Sequence, residues 1–128
     1  MTTPEGPILS VLVADDDPLV RRVLRMALES QGYRVTEAGD ATEAMALSNH
    51  HADLVILDVN MPGGTVHETI TAVRRGGAAT PILVLSGEAL PPADLPPHLT
   101  DFARKPIDLD DLLARVRLLL LSVASSSA

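Results

Sequence analysis

Three aspartates in succession, Asp15, Asp16 and Asp17, close the run "VLVADDD" at residues 11–17, and no lysine or arginine stands beside them until Arg21. A further aspartate, Asp58, ends the apolar run "DLVILD" at 53–58. Ser86 ends "PILVLS" at 81–86, and Lys105 closes "DFARK" at 101–105. Carboxylates brought to close range cannot all stay ionised without a counter-charge. If Asp15, Asp16 and Asp58 meet, they form an oxygen-rich pocket, and hard oxygen donors without Cys or His suit Mg²⁺. Asp17 has a simpler reading. It precedes Pro18, the usual order of a helix N-cap followed by proline at the first helical position. Any one aspartate could merely cap a strand-to-helix turn. That explanation does not extend to all three together with Ser86 and Lys105.

The elements around these residues predict that they do meet. Apolar runs of strand length occur at 8–14, 53–59 and 81–86, with a more polar strand at 33–38 and a short one at 101–105. Helical patterns lie between them. Val20, Val23, Leu24, Ala27 and Leu28 form one apolar face that Gly32 terminates. A weaker stripe covers 40–51, and Val66, Ile70 and Val73 mark a third helix over about 65–75. The last helix, 108–121, is capped by Asp108, with a core stripe of Leu109, Leu112, Leu113, Val116 and Leu120; Leu118 and Leu121 lie outside that stripe. Alternating strands and helices predict a parallel sheet covered on both faces. The leading arrangement is a flavodoxin-like, doubly wound five-stranded α/β fold of order 2-1-3-4-5, whose ligands sit at the carboxyl ends of the strands. Asp15, Asp16, Asp58, Ser86 and Lys105 all fall at those ends. Between strands four and five, "EALPPADLPPHLT" carries Pro91, Pro92, Pro96 and Pro97. An interior proline costs a helix roughly 3 kcal/mol, so a degenerate fourth helix or a loop is expected there.

The totals exclude several function classes. The 128 residues suffice for one domain with its own core, and the 46% hydrophobic content supports folding without disulfides. Cysteine is absent, which removes thiolate zinc sites and cysteine nucleophiles and fits a cytoplasmic location. A net charge of −7 argues against a nucleic-acid surface, and Tyr33 and Phe102 alone cannot build a base-stacking platform. No apolar stretch approaches the roughly 18 residues of a membrane span. "MTTPEGP" at 1–7 reads as a tail rather than a signal peptide, the domain as 8–121, and 122–128 as a disordered C-terminal tail.

Five motifs in order, "VADD", "LDVNMP", "LSG", "F-x-x-K-P" and the amphipathic last helix, resemble the receiver domains of two-component response regulators over about residues 8–121. The resemblance implies a phosphorylation switch rather than an enzyme. Asp58 would accept a phosphoryl group from the phosphohistidine of a sensor histidine kinase or phosphotransfer protein, or from a small acyl phosphate. Asp16, Asp58 and the Asn60 backbone carbonyl would bind Mg²⁺, with Asp15 acting mostly through a bound water. Ser86 and Lys105 would each contact a phosphoryl oxygen, and Ser86 and Phe102 would carry the switch. Asn60 and Glu88, two residues after Asp58 and Ser86, look like the rate-tuning pair of chemotaxis-type regulators. The resemblance further implies a cis Lys105–Pro106 bond, and the chain reads as stand-alone or excised. Where most receivers carry Asp-Gly after the asparagine loop, Thr65 and Val66 stand here, a departure that bears on loop geometry and not on the chemistry.

Two other readings compete. One is a receiver-like interaction module that is never phosphorylated. The other is a haloacid-dehalogenase-type phosphatase with Asp15 as nucleophile and Asp17 as acid/base; Leu19, where that motif wants threonine, and a helix starting at Pro18 argue against it. His50, His51 and His98 read as surface groups, "HET" at 67–69 lacks the rest of a phosphohistidine box, and Met26, Met45 and Met61 read as packing. The output partner is left open, and Leu118 and Leu121 suggest a dimer through the last helix.

Overall fold

The first strand, β1 (Ser10–Ala14), sends Val11 and Val13 to one face of the sheet and Leu12 and Ala14 to the other, and all four are buried. Strands β3 (Leu54–Asp58) and β4 (Ile82–Ser86) do the same and are buried at every position. Such double burial belongs to parallel strands covered on both sides, and it explains their unbroken apolar runs. β2 (Arg34–Ala38) and β5 (Thr100–Arg104) have mixed burial because they are the edges. All pairings are parallel and the order is β2-β1-β3-β4-β5, the expected flavodoxin-like arrangement. The computed structural model describes residues 8–47, 52–76, 79–88, 95–96 and 98–126.

Two cores result. α1 (Pro18–Glu29) contributes Leu24 and Leu28, and α4 (Leu109–Ser126) contributes Leu112, Val116 and Leu119, against Val11, Val13, Leu54, Ile56, Leu83 and Leu85. On the other face, α2 (Ala41–Leu47) and α3 (Val66–Gly76) bring Ala44, Val66, Ile70 and Val73 onto Leu12, Val55, Leu57 and Val84. The strands therefore end in one line between two covered faces, and whatever follows β1, β3 and β4 is held by a rigid platform.

Several element details depart from expectation. Val23 is 42% and Met26 65% exposed, so the buried stripe of α1 is the narrower row Leu24 and Leu28 with Val20 packed beside it. In α4 the buried row is Leu112, Val116 and Leu119; Leu109, in the first turn, is exposed. The helix also continues past Leu121 to Ser126 instead of fraying at 122. No Gly or Pro interrupts "SVASS", and the Ser122 hydroxyl donates to the Leu118 carbonyl at 2.9 Å. The second helix is described as far as Leu47, and the rest of its expected span, 48–51, lies outside the described residues.

Among the described residues no helix lies between β4 and β5. Pro91, Pro92 and Pro97 fall outside the described set. Leu95, which falls within it, packs against the α2–α3 core, and Leu99 adopts a positive φ of 52°. Arg74, near the end of α3, donates to the carbonyls of Thr80 and Leu99 at 2.9 and 3.2 Å and to the Thr100 hydroxyl at 3.1 Å. One half-buried guanidinium thus ties α3 to the starts of both β4 and β5.

Candidate functional site

Asp15 follows β1 directly and is buried, its backbone N–H donating to the Ala38 carbonyl at 3.1 Å. One side-chain oxygen accepts the Asp17 N–H at 2.9 Å, which folds the three-aspartate turn back on itself. Asp17 then caps α1, accepting from the N–H groups of Leu19 and Val20, as its position before Pro18 predicts. Asp16, between them, is exposed. Asp58, the last residue of β3, is 5% exposed. One oxygen from each of Asp15, Asp16 and Asp58 lies within 4.8 Å of the others.

Lys105 enters from beyond β5. Its backbone N–H donates to the Ser86 carbonyl at 2.7 Å, its bond to Pro106 is cis as expected, and its ammonium reaches back over the strand ends. It donates to Asp15 at 2.6 Å and lies 3.3 Å from Asp58. Ser86 is buried at the end of β4, its hydroxyl accepting the Glu88 N–H at 3.0 Å. Asn60 turns just beyond Asp58 and donates its backbone N–H to that carboxylate at 3.4 Å. Phe102, on β5, is partly buried against the α2–α3 core. Asp15, Asp16, Asp58 and Lys105 are thus brought together, Asn60 adjoins Asp58, Ser86 sits on the neighbouring strand end, and Phe102 is set apart on the edge strand.

The charges explain one another. Burial pushes the Asp58 carboxyl above its usual range, the Asp15 charge adds to this, and Lys105 pulls the other way. Burial works against the Lys105 ammonium, but the hydrogen bond and charge of Asp15, with Asp58 behind them, raise its pKa. Three carboxylates against one ammonium still leave an excess of negative charge. The donor set is hard oxygen throughout, so these residues fit Mg²⁺ and would suit softer metals poorly.

Of the other sequence candidates, His67 on α3 and His98 are exposed, while His50 and His51 lie outside the described residues. Met61 packs against the α2–α3 core, whereas Met26 is a surface residue. Arg21 was not apparent from sequence. The helical pattern assigns it to solvent, yet its guanidinium donates to the Asp15 backbone carbonyl at 2.6 Å and to Glu37 at 3.2 Å, bracing the aspartate turn from α1. Its place in the first turn after the Asp17 cap is the only signal the sequence carries.

The response regulator receiver domain family model matches residues 11–117. The response regulator MprA of Mycobacterium sp. (strain KMS) is 41% identical over 114 residues, covering 86% of this chain and 50% of that protein. The chain therefore spans about half the length of the curated relatives it matches. The chemotaxis response regulator CheY4 of Vibrio cholerae superposes with a TM-score of 0.79 at 31% identity, covering 88% of this chain and 99% of that one. The response regulator TrrA of Thermotoga maritima, solved in complex with Mg²⁺-BeF, gives 0.77 at 29% identity over 88% and 99% of the two chains.

Proposed function

This chain belongs to the response regulator receiver domain family, whose members act in phosphorylation-dependent two-component signalling, and from that premise we propose that Asp58 is its phosphoacceptor. The observation that carries the reading is the convergence of Asp15, Asp16 and Asp58 within 4.8 Å beside the Lys105 ammonium. In the proposed reaction an Asp58 carboxylate oxygen attacks the phosphorus of a histidine kinase's phosphohistidine. The new O–P bond forms as the P–N bond breaks, and the imidazole leaves. Phosphoryl transfer depends on positioning and charge neutralisation more than on acid–base work. Lys105 holds positive charge beside Asp58, and Ser86 offers its hydroxyl at the next strand end.

Asp15, Asp16, Asp58 and the Asn60 carbonyl would hold Mg²⁺, which when bound supplies the remaining positive charge. Asp58 must be ionised to attack, and burial with Asp15 opposes that. Lys105 already favours the ionised form, and a cation in the pocket would favour it further. Ser86 and Phe102, on adjacent strands at Ser86↔Arg104 and Val84↔Phe102 register, are proposed to pass the phosphoryl state to the β5 edge. The switch would operate in the cytoplasm; among the described residues, no helix is long and apolar enough to cross a membrane. A second copy of the chain is the proposed partner of α4, where Leu118 and Leu121 are 64% and 54% exposed beside a groove of about 590 Å³ lined by Tyr33, Leu113 and Ala114.

Thermal unfolding with and without Mg²⁺ tests the site. A ligand that binds only the folded chain stabilises it, by about 2.7 kcal/mol at a hundredfold excess over Kd. The parent should rise in Tm with Mg²⁺, and Asp16→Ala should lose most of that rise. A variant that responds as the parent does would show the site to be elsewhere.

A further inference from the structure

The loop after Asp58 hangs on α2. Ala41 N–H, the first of the helix, donates to the Pro62 carbonyl at 2.9 Å, and the Thr42 hydroxyl donates to the Gly63 carbonyl at 3.3 Å. The approach is too close for side chains. Gly63 has φ +93°, and a Cβ there would stand 2.7 Å from the Thr42 hydroxyl. A Cβ on Gly64 would stand 3.3 Å from both the Ala41 Cβ and the Met45 Cε. Gly63 and Gly64 are the part of the loop that meets α2.

The same corner also holds the other half of the acidic site. The Ala38 carbonyl, at the end of β2, accepts the Asp15 N–H, and Arg21, which braces the Asp15 carbonyl, lies in van der Waals reach of Gly39, 3.4 Å from where a Cβ would stand. Asp40 then caps α2 by accepting the Glu43 N–H at 2.7 Å, and Glu43 returns to the Gly39 N–H at 2.8 Å. This reciprocal cap fixes where the helix begins. From that fixed start, Ala41 and Thr42 reach the loop carrying Asn60.

We propose that the first turn of α2, and Thr42 in particular, is a positioning element for the Mg²⁺ site: it sets the distance between the aspartate turn after β1 and the Asp58–Asn60 loop after β3. The proposal rests on the metal-binding reading above. Thr42 touches no candidate ligand, so its effect runs through the Gly63 carbonyl and the loop backbone. It gives the 59–65 loop a support in a chain where Thr65 and Val66 stand in place of the usual Asp-Gly pair.

Thr42 is exposed, so Thr42→Val, which keeps the shape and removes the donor, should fold with an unchanged metal-free Tm. Calorimetric titration of the full chain with MgCl₂ should then give a Kd raised about threefold, below the roughly tenfold loss expected when a direct hydrogen-bond partner of a metal ligand is removed. Thr42→Ser, which retains the hydroxyl, should bind as the parent does. Gly63→Ala, which drives the loop off the helix, should weaken binding more than Thr42→Val. Parent-like affinity in both Thr42→Val and Gly63→Ala would overturn the positioning role while leaving the metal site standing. A parent chain that binds no Mg²⁺ would overturn the metal-site reading and this inference with it.

Discussion

At Asp58, burial and the nearby Asp15 both favour the protonated carboxyl, and Lys105 opposes them. Because the folded-state pKa lies above the unfolded value, this group's contribution to stability is present below the unfolded pKa. It is lost as pH rises through the folded one. Without metal, Asp58→Asn should therefore be more stable than the parent at neutral pH, and the advantage should shrink toward zero as pH falls to about 4. Thermal unfolding in a chelating buffer across that range checks this; a difference independent of pH would contradict it. The meeting of Asp15, Asp16, Asp58 and Lys105 could be read from sequence, because each stands at the end of a strand. Arg21 and Thr42 could not, because they act through backbone carbonyls, which any residue presents. Neither Arg21 as a helical charge nor Thr42 as a helical hydroxyl announces which carbonyl it will meet.

Elements were legible where one physical signal dominated. Double-sided burial made β1, β3 and β4 plain apolar runs, and the Asp17–Pro18 pair marked the start of α1. In α4 the four leucines 118–121 point in every direction, so periodicity could not single out Leu119, which is buried; Leu109 fits the helical spacing but is exposed in the first turn. α3 shows how a departure from the family pattern is absorbed. Thr65 and Glu68 form a reciprocal cap, with Thr65 N–H donating to Glu68 at 3.0 Å and Glu68 N–H to the Thr65 hydroxyl at 3.1 Å. Thr65→Ala should cost about 1 kcal/mol, a fall in Tm of about 4 °C for a domain of this size. Thr65→Asp, which keeps an acceptor at the cap, should fall much less. Equal loss in both would mean the cap is not what Thr65 contributes.

For the molecule as a whole, the sheet gathers Asp15, Asp16, Asp58, Ser86 and Lys105 at one end, while α4 presents Leu118 and Leu121 on a flank away from it. If that flank pairs with a second copy, sedimentation should show a concentration-dependent dimer that Leu118→Glu with Leu121→Glu abolishes. A parent that stays monomeric at high concentration, phosphorylated or not, would exclude the contact. The central claim is that the strand-end carboxylates form a phosphoryl-accepting site at Asp58. Incubation with acetyl phosphate and Mg²⁺, followed by intact mass measurement, tests it most directly. The parent is expected to gain one phosphoryl group, dependent on Mg²⁺ and lost in Asp58→Asn. No gain from acetyl phosphate or a cognate kinase, or an equal gain in Asp58→Asn, would contradict it.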